Sequence, residues 1–423
     1  MSLLRDHDFR RLFLADAASQ AGTQVLMLAL PLVAVAALRA SAFEVGALAA
    51  AQTLAFAVIG LPAGAILDRL RKRAVMVAAD VARAVALASV PVAWWLDALT
   101  IHHLYAVAVV LGVFTVFFDV GYQSYLPHLV ARERLVEGNS ALEIVRTVAQ
   151  VGGPSLGGQL IQLLTAPIAL AVTVAGYAWS ALCLALIRKR EPRPAARSEQ
   201  PGRGSGAGLG RLGTEIAEGV RFVAGHPLLR RITGCTATAN LFTAMSQPMV
   251  LVLLARELEL GAGTIGLLMS AGGLGGIVGA LVNARLAGRL GQGPVMWLGI
   301  AVPAPAAFAL PWLEADWRLG LFVLAQFLYG AGSVIYNVTQ VSFRQAITPE
   351  PLLGRMNATI RFLVWGTLPL GGLLGGVLGA TVGIRSTLLI AAAGFCLAFL
   401  WLVTSPLRTL RDLPAAAGSR ARQ

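Results

Sequence analysis

The chain reads GAILDRLRKR at residues 64–73, where five charges in six positions separate two long apolar segments. Each flanking segment reaches the roughly 20 residues that a helix needs to cross the hydrocarbon core of a bilayer. A charged connection between two such segments predicts a pair of membrane helices joined at the water interface. Gly64 would let neighbouring helices approach closely, and Asp68 is suited to cap a helix N-terminus and answer its dipole.

The same alternation of apolar segments and polar connections continues through all 423 residues. Apolar residues make up 57% of the chain, charged residues only 13%, and the mean hydropathy is +0.72. Soluble domains usually carry about 25% charged residues, and no period-two alternation indicates a membrane barrel. The fold class predicted is therefore an all-α integral membrane protein with twelve transmembrane helices. The predicted spans are 10–38, 42–67, 74–96, 102–127, 138–163, 166–188, 230–255, 262–286, 294–313, 318–343, 355–380 and 384–405.

The lysines and arginines fall mainly in alternate connections, so the net charge of +13 indicates topology and not nucleic-acid binding. Positive residues collect on the cytoplasmic side, which predicts that both termini lie in the cytoplasm and that the protein resides in the plasma membrane. The bias toward Ala, Arg and Gly suggests a bacterial source. Of the 34 basic residues, the opposite side holds only Arg39, Arg256, Arg318 and Arg385, and the spans hold only Arg83, Arg146 and Arg361.

Weak repetition at a near-constant offset predicts two pseudo-symmetric six-helix halves. Gln20 and Asn240 are 220 positions apart, and Asn139 and Asn357 are 218 apart. The polar stretch between the sixth and seventh spans has the composition of a linker, and Ile216, Val220 and Val223 in it fall on one helical face that would lie along the membrane surface. The domains predicted are an N-terminal half at 1–188, a cytoplasmic linker with an amphipathic helix at 189–228, a C-terminal half at 229–407 and a cytoplasmic tail at 408–423.

The charged connection resembles the signature G-x-x-x-D-R-x-G-R/K-R/K of the major facilitator superfamily, with Arg71 at the position where glycine is usual. The resemblance implies a cytoplasmic gate in which these side chains hold the two halves together in one state and release them in the other. Asp119, near the end of span four, is expected to pair with Lys72 or Arg73 in this gate, and substrate contact is the alternative. The alternative is a basic anchor with a glycine packing site. The gate residues are Gly64, Asp68, Arg69, Lys72, Arg73 and Asp119.

Span five carries the sequence GGPSLGG, which resembles the GPxxGG antiporter motif of exporters in the superfamily. Proline removes a backbone hydrogen bond and bends a helix, and glycines admit a close neighbour. The motif therefore predicts a bent, closely packed helix between the halves, although ordinary packing would also use these residue types. Its residues are Gly153, Pro154, Gly157 and Gly158.

Two further stretches are similar to the branch that includes the enterobactin exporter and macrolide-efflux proteins. They are SYLPHLVARERLVEGNSAL at residues 124–142 and EGVRFVAGHPLLRR at residues 218–231. This resemblance, which extends over nearly the whole chain, implies a drug:proton antiporter with twelve spans. It says nothing about which compound is carried.

Polar side chains recur on single faces of several spans, where they are costly unless they face partners or water. Asp16, Gln20 and Gln24 are spaced by four in span one, and spans four, five, seven, ten and eleven carry similar stripes. We therefore predict a central cavity between the halves, a position that the resemblance also implies. The substrate-cavity candidates are Gln20, Gln24, Gln123, Arg146, Gln150, Thr236, Asn240, Thr243, Gln247, Ser333, Asn337, Gln340, Arg361 and Trp365.

Two acids are candidates for proton coupling, Glu143 first and Asp16 second. Glu143 is expected to lie deep enough to lose water, and the repeat matches it with Arg361, which predicts a pair facing across the pseudo-twofold axis. The alternative is a structural ion pair between Glu143 and Arg146. Asp80 and Arg83, three positions apart, are expected to form a local ion pair.

These patterns favour proton-driven export of a small hydrophobic or amphipathic molecule, such as a drug, antibiotic or siderophore, by alternating access. The alternative is proton-coupled uptake of a small nutrient or metabolite.

An enzyme is not expected, because five scattered histidines and three isolated cysteines provide neither a catalytic set nor a metal site, and no cofactor is implied. A receptor or scaffold is the third class. The predicted partners are the small-molecule substrate, protons and the lipid bilayer, with no nucleic acid, and the protein is predicted to act as a monomer.

Overall fold

The computed structural model describes residues 3–67, 70–131, 134–189, 191, 219–349 and 352–411, and regular structure within these ranges is helical throughout. Two of the spans are interrupted. The ninth continues after its first segment through Ala304–Ala307 and Leu310–Trp312, and the eleventh continues after Gly366 as Thr367–Thr381. The twelve helices are α1 His7–Leu32, α2 Ala42–Leu67, α3 Lys72–Trp95, α4 Ile101–Leu129, α5 Leu135–Leu164, α6 Ala166–Ala185, α7 Pro227–Val252, α8 Ala262–Leu290, α9 Gln292–Ala301, α10 Leu319–Ile347, α11 Leu353–Trp365 with its continuation, and α12 Ile384–Val403.

Eleven helices in the described part of the chain are long and apolar enough to cross a membrane. The exception is α5, which has 30 residues but is diluted by glycines, glutamines and the charges of Glu143 and Arg146. It packs against α1 and α8 in the same bundle as the others. The prediction of an all-α, twelve-helix integral membrane protein is therefore confirmed.

Local sequence sets where the helices begin. Asp6 caps α1, since its Oδ1 accepts hydrogen bonds from the backbone N–H groups of Asp8 and Phe9 at 2.9 and 3.0 Å. Ser41 and Glu44 form a capping box at the start of α2, in which the Ser41 N–H donates to the Glu44 carboxylate at 2.7 Å. These caps satisfy N–H groups that have no partner within the helix.

The two halves repeat the same packing scheme. In the first half α1 packs on α5 and α6, α4 packs on α2 and α3, and α3 packs on α6. In the second half α7 packs on α11 and α12, α10 packs on α8 and α9, and α9 packs on α12. The halves meet where α5 packs on α8 and where α2 packs on α11, two contacts that the pseudo-twofold relation exchanges. The predicted domain boundaries stay predictions, because most of the linker lies outside the described residues.

Glycines line both contacts between the halves. A Cβ on Gly158 of α5 would lie 2.4 Å from the carbonyl oxygen of Ala262 and 3.0 Å from the Cα of Gly266. A Cβ on Gly46 of α2 would lie 2.5 Å from the Cα of Gly376. Real side chains do not tolerate such distances, so each contact depends on backbone meeting backbone.

The bundle has a termini face, where α1 begins and α12 ends, and an opposite hairpin face. At the hairpin face one apolar core includes residues of both halves, among them Leu30 and Leu251. The π-helical turns Val33–Ala37 and Leu253–Glu257, which extend α1 and α7, contact each other there. Toward the termini face each half has a core of its own. The structure is thus closed at the hairpin face and parted at the termini face.

The described part of the connection before α7 starts at Gly219 and is helical to Gly225. Val223 is buried in a cluster with Met356 and Ile360 of α11, whereas Val220 is exposed. Ile216 lies outside the described residues. This segment therefore rests partly on α11.

Candidate functional site

A cavity of about 1150 Å³ separates the two halves. Its wall reaches Asn139 and Asn357, each about one turn from the start of α5 and of α11 at the termini face. In the other direction it ends near Met27 and Gly112, about ten residues or roughly 15 Å of helix from the hairpin face. The cavity is therefore continuous with the parted end of the bundle.

Most of the predicted cavity residues lie in this wall, as the spacing of polar positions on single helix faces predicts. Gln123 belongs to α4, but its side chain lies outside the described part. The predicted residues that line the cavity are Gln20, Gln24, Arg146, Gln150, Thr236, Asn240, Thr243, Ser333, Asn337, Gln340, Arg361 and Trp365.

Gln247 does not line the central cavity, which corrects the sequence prediction. It shares a face of α7 with Thr236 and Asn240 but lies closer to the hairpin face, where the central cavity has already closed. It lines a smaller side pocket of about 100 Å³ within the C-terminal half. Periodicity gave the right face of the helix, whereas the depth at which the cavity ends depends on packing between helices.

Asp16 is an acid buried in the cavity wall. Its side chain is only 1% exposed, and its two carboxylate oxygens accept hydrogen bonds from Gln20 Nε2 at 3.4 Å and from Tyr122 Oη at 3.3 Å. Among the described residues no cation forms an ion pair with it. A charge at this place has only neutral hydrogen-bond donors in direct contact to offset the loss of water.

Glu143 differs from expectation, because its side chain is exposed in the cavity wall and is not shielded from water. The expected pair with Arg361 is absent, since the Arg361 guanidinium lies 4.3 Å from the ring centre of Trp365. The alternative pair of Glu143 with Arg146 is not formed either within the described ranges. The polar face of α5 borders the wide part of the cavity, so the Glu143 side chain is accessible from the cavity.

Asp80 and Arg83 form the local ion pair that their spacing predicts. Both are almost fully buried, and Arg83 also lines the cavity, a position that the sequence analysis did not assign to it. Its guanidinium lies between the rings of Phe118 at 4.4 Å and Tyr177 at 4.5 Å. The sequence contained a signal for this position of Arg83, because an arginine inside a span must face a partner or a water-filled cavity.

The predicted cytoplasmic gate lies only partly within the described residues. Gly64 lies within α2, and Asp68 and Arg69 lie outside the described residues. The N–H groups of Lys72 and Arg73 donate to the Glu191 carboxylate at 2.9 and 3.2 Å, which caps α3. The Arg73 guanidinium donates to the carbonyl of Ile187 at the end of α6.

Asp119 does not pair with Arg73 in the described part of the chain; it lines the central cavity. The reason is the depth of Asp119 within α4, which runs from the hairpin face to the termini face. Asp119 therefore lies about ten residues, or roughly 15 Å, before the end of α4 at the termini face.

The glycine–proline motif of α5 packs on both sides. A Cβ on Gly153 would lie 2.4 Å from the Cβ of Gln24, and one on Gly157 would lie 3.3 Å from the Cα of Val25, so both positions face α1. Gly158 faces α8, and the carbonyl oxygen of Pro154 would lie 2.1 Å from a Cβ on Gly266. The motif thus sets α5 between α1 of its own half and α8 of the other.

Comparison with known proteins agrees with this architecture. A family model described as Major Facilitator Superfamily matches residues 12–366 and 232–421. The "Multidrug efflux pump Tap" of Mycolicibacterium fortuitum is 30% identical over 398 residues, which cover 89% of this chain and 90% of that protein. The "Enterobactin exporter EntS" of Escherichia coli O1:K1 / APEC is 28% identical over 431 residues, 98% of this chain and 96% of that protein.

The fold is also similar to that of solved transporters. The crystal structure of "a bacterial homologue of iron transporter ferroportin in inward-facing state" superposes with a TM-score of 0.73 at 17% identity, covering 96% of this chain and 99% of that chain. At this identity the likeness concerns the fold alone. With the family match, the repeated six-helix halves and the central cavity, the chain belongs to the Major Facilitator Superfamily and is a membrane transporter, not an enzyme.

Proposed function

We propose that this protein exports small hydrophobic or amphipathic molecules, such as drugs, antibiotics or siderophores, from the cytoplasm by alternating access. The observation that carries the proposal is the cavity of about 1150 Å³, which extends toward one face of the bundle and is sealed at the other. Its wall mixes carboxylates, amides, hydroxyls and aromatic rings. Such a wall suits a bulky molecule with polar and apolar parts better than a bare ion.

The proposed direction of transport is inferred from the relatives of this chain. The names of both relatives described above state efflux or export. The glycine–proline motif of α5, which resembles the antiporter motif of exporters, lies between the halves where their relative movement would act. Uptake of a nutrient by the same fold has no comparable support.

The termini face is proposed to be cytoplasmic. The basic residues concentrate at that end of the bundle, as they do on the cytoplasmic side of membrane proteins. The structure then corresponds to an inward-open state of a bacterial plasma-membrane protein. The inward-facing state named for the ferroportin homologue supports this assignment. One chain encloses the whole cavity, which favours a monomer.

Opening toward the outside would require the hairpin face to part. The contacts to be broken include the Arg256 guanidinium donating to the carbonyl of Ala40 at 3.2 Å, and the apolar core that both halves share. The glycine contacts between α5 and α8 and between α2 and α11 bring backbone close to backbone, and one side-chain hydrogen bond across the first joins the Gly263 N–H to Gln162 Oε1 at 3.0 Å. They are suited to act as the surfaces on which the halves rock.

Protons are the proposed coupling ion, and Asp16 is the preferred carrier. It is buried beside the cavity, bound only by neutral donors, and one proton would remove the cost of its uncompensated charge. Glu143 is the second candidate, because its side chain is already exposed in the cavity wall. Proton entry from outside would then favour release of the compound outward.

The test compares a deletion strain with its complemented partner against a panel of antibiotics, dyes and siderophores. Export predicts lower accumulation of at least one compound in complemented cells, and collapse of the proton gradient should abolish the difference. Higher accumulation in complemented cells would instead establish uptake. An unchanged profile over the whole panel would contradict the proposed function.

A further inference from the structure

The side pocket of the C-terminal half is enclosed by α7, α8, α9, α10 and α12. Its volume is about 100 Å³, somewhat smaller than a cavity of about 150 Å³ that takes up benzene in another protein. The wall is mostly apolar, with Leu388, Ala391 and Ala392 of α12 forming one side. No charged residue belongs to it. By size the pocket accepts a single small ring or a short branched chain.

Two amides face this apolar space without a partner. Gln247 of α7 and Gln326 of α10 both line the pocket, and neither makes a hydrogen bond within the described ranges of the chain. Gln247 is exposed and Gln326 is partly buried, so both amides are accessible to a molecule that enters the pocket. An amide offers both a donor and an acceptor. Such groups in an apolar pocket are the features that orient a bound molecule.

The pocket adjoins the central cavity. Thr243, Pro303, Tyr329 and Phe395 belong to the walls of both. The rings of Tyr329 and Phe395 stand at this junction with their centres 6.1 Å apart. A molecule held in the central cavity therefore lies next to the entrance of the side pocket.

Helix α9 is interrupted beside the pocket. Its first segment ends at Ala301, and Pro303 and Pro305 follow before the chain resumes a helical path. Irregular backbone inside a membrane is tolerated where it is buried in protein or lines a cavity. The interruption makes room at a level where the matching helix of the other half, α3, is continuous.

We propose that this side pocket is a substrate subsite, which binds an uncharged apolar arm of the transported molecule through Gln247 and Gln326. The inference rests on the proposed export function and adds a substrate class to it. The preferred molecule has a body held in the central cavity and one neutral ring or short chain that carries a carbonyl, hydroxyl or amide group. A charged arm is disfavoured, because no charged side chain among the described residues lines the pocket to offset its loss of water.

The experiment measures binding of 4-fluorobenzamide to the purified full-length protein by fluorine NMR titration. This probe is a single ring with an uncharged amide. Ala392→Phe fills the pocket, and Ala393→Phe is the matched control, because Ala393 is exposed on the outer side of the same helix. We expect Ala392→Phe to weaken binding at least about tenfold and Ala393→Phe to leave the affinity within about twofold.

A second variant guards against misfolding of the filled pocket. Gln247→Met keeps the side-chain length and removes the amide, and we expect about a five-fold loss of affinity from the missing hydrogen bond. The anion 4-fluorobenzoate should bind at least about tenfold more weakly than the amide. Equal affinities of Ala392→Phe and Ala393→Phe for 4-fluorobenzamide, or no saturable binding to the unaltered protein, would overturn the inference.

The titration needs no transport, so its failure is distinct from failure of the accumulation panel. In that panel Ala392→Phe is expected to lose export of compounds that Ala393→Phe still exports. Identical panel profiles for the two variants would overturn the proposed role of the side pocket in transport, even if 4-fluorobenzamide binds. A panel in which the unaltered protein exports nothing would contradict the proposed function instead.

Discussion

The two halves share a backbone plan but fill the same place differently. Arg83 of α3 and Pro303 of α9 are 220 positions apart, as are the starts of these helices at Lys72 and Gln292. In the N-terminal half Arg83 is buried with Asp80 and lies between two rings, one of them Tyr177. In the C-terminal half the matching ring, Phe395, borders the side pocket and no guanidinium is present there.

This difference indicates that the repeat allows the halves to specialise. The acids that line the central cavity, Asp16, Asp119 and Glu143, all come from the N-terminal half. The C-terminal half contributes amides, hydroxyls, rings and arginines to the cavity, and the uncharged side pocket lies within it. We interpret the first half as the one that supplies carboxylates for proton coupling and the second as the one that holds a neutral arm in the side pocket.

The largest effect is expected where the N-terminal half is most tightly filled. Arg83→Leu leaves Asp80 buried and without its partner, which should cost about 3–5 kcal/mol of unfolding free energy. Pro303→Ala, at the matching position, should cost less. Thermal unfolding in detergent, followed by tryptophan fluorescence, measures both. The double variant Asp80→Leu/Arg83→Leu should recover most of the loss, and a single variant as mild as Pro303→Ala would show that the ion pair does not hold this half together.

The second-largest effect is expected on the proton dependence of export, and it should differ between the two halves. Asp16→Asn removes the buried acid and should lower proton-driven export at least about tenfold, while Thr236→Val, at the matching position of α7, should leave the proton dependence intact. Glu143→Gln should reduce export less than about threefold. Transport into inverted vesicles with an imposed proton gradient measures all three. Unchanged proton dependence in Asp16→Asn would move the coupling site elsewhere.

A smaller effect is expected at the contacts between the halves. Gly46→Ala forces a Cβ against the backbone of Gly376 and should cost about 1–3 kcal/mol, as overpacking does. Gly60→Ala on the same helix is the matched control, because a Cβ there meets nothing within 4 Å. Thermal unfolding compares the two, and equal midpoints would mean that α2 and α11 separate without cost.

The smallest effect on stability is expected at the N-termini of the matching helices α2 and α8. Ser41→Ala removes the capping box of α2 and should cost about 1 kcal/mol. The matching helix α8 begins at Gly261, which has no side-chain cap, so Gly261→Ala should change stability less. Hydrogen exchange of the first-turn amides reports each change locally. Equal exchange in the two variants would show that the cap does not order this turn.

Much of the fold followed from the sequence because membrane helices obey simple rules of length and charge. The spans, the repeat and most cavity faces depend on apolar runs and on spacing along one helix, which the sequence displays directly. The exposure of Glu143 and the position of Asp119 in the cavity wall depend on where the helices part and on how deep the cavity extends, so spacing along one helix gave the wrong surroundings for both.

The side pocket could not be predicted for a similar reason. It exists because Ala391, Ala392 and the interrupted α9 leave space that no neighbouring side chain fills. A void is a property of several helices together, whereas the sequence shows each of them separately. The unpaired amides of Gln247 and Gln326 were visible as polar residues in spans, but not the space that they share.

The polarity of α5 has a consequence for how the protein is made. A segment too hydrophilic to qualify as a span on its own has little tendency to leave the translocon for lipid. Its glycine face toward α8 has no counterpart until the ribosome has synthesised the second half, whereas α1 is already present in the membrane. We therefore expect nascent α5 to depend first on α1 for a place shielded from lipid and to complete its insertion only when α8 emerges.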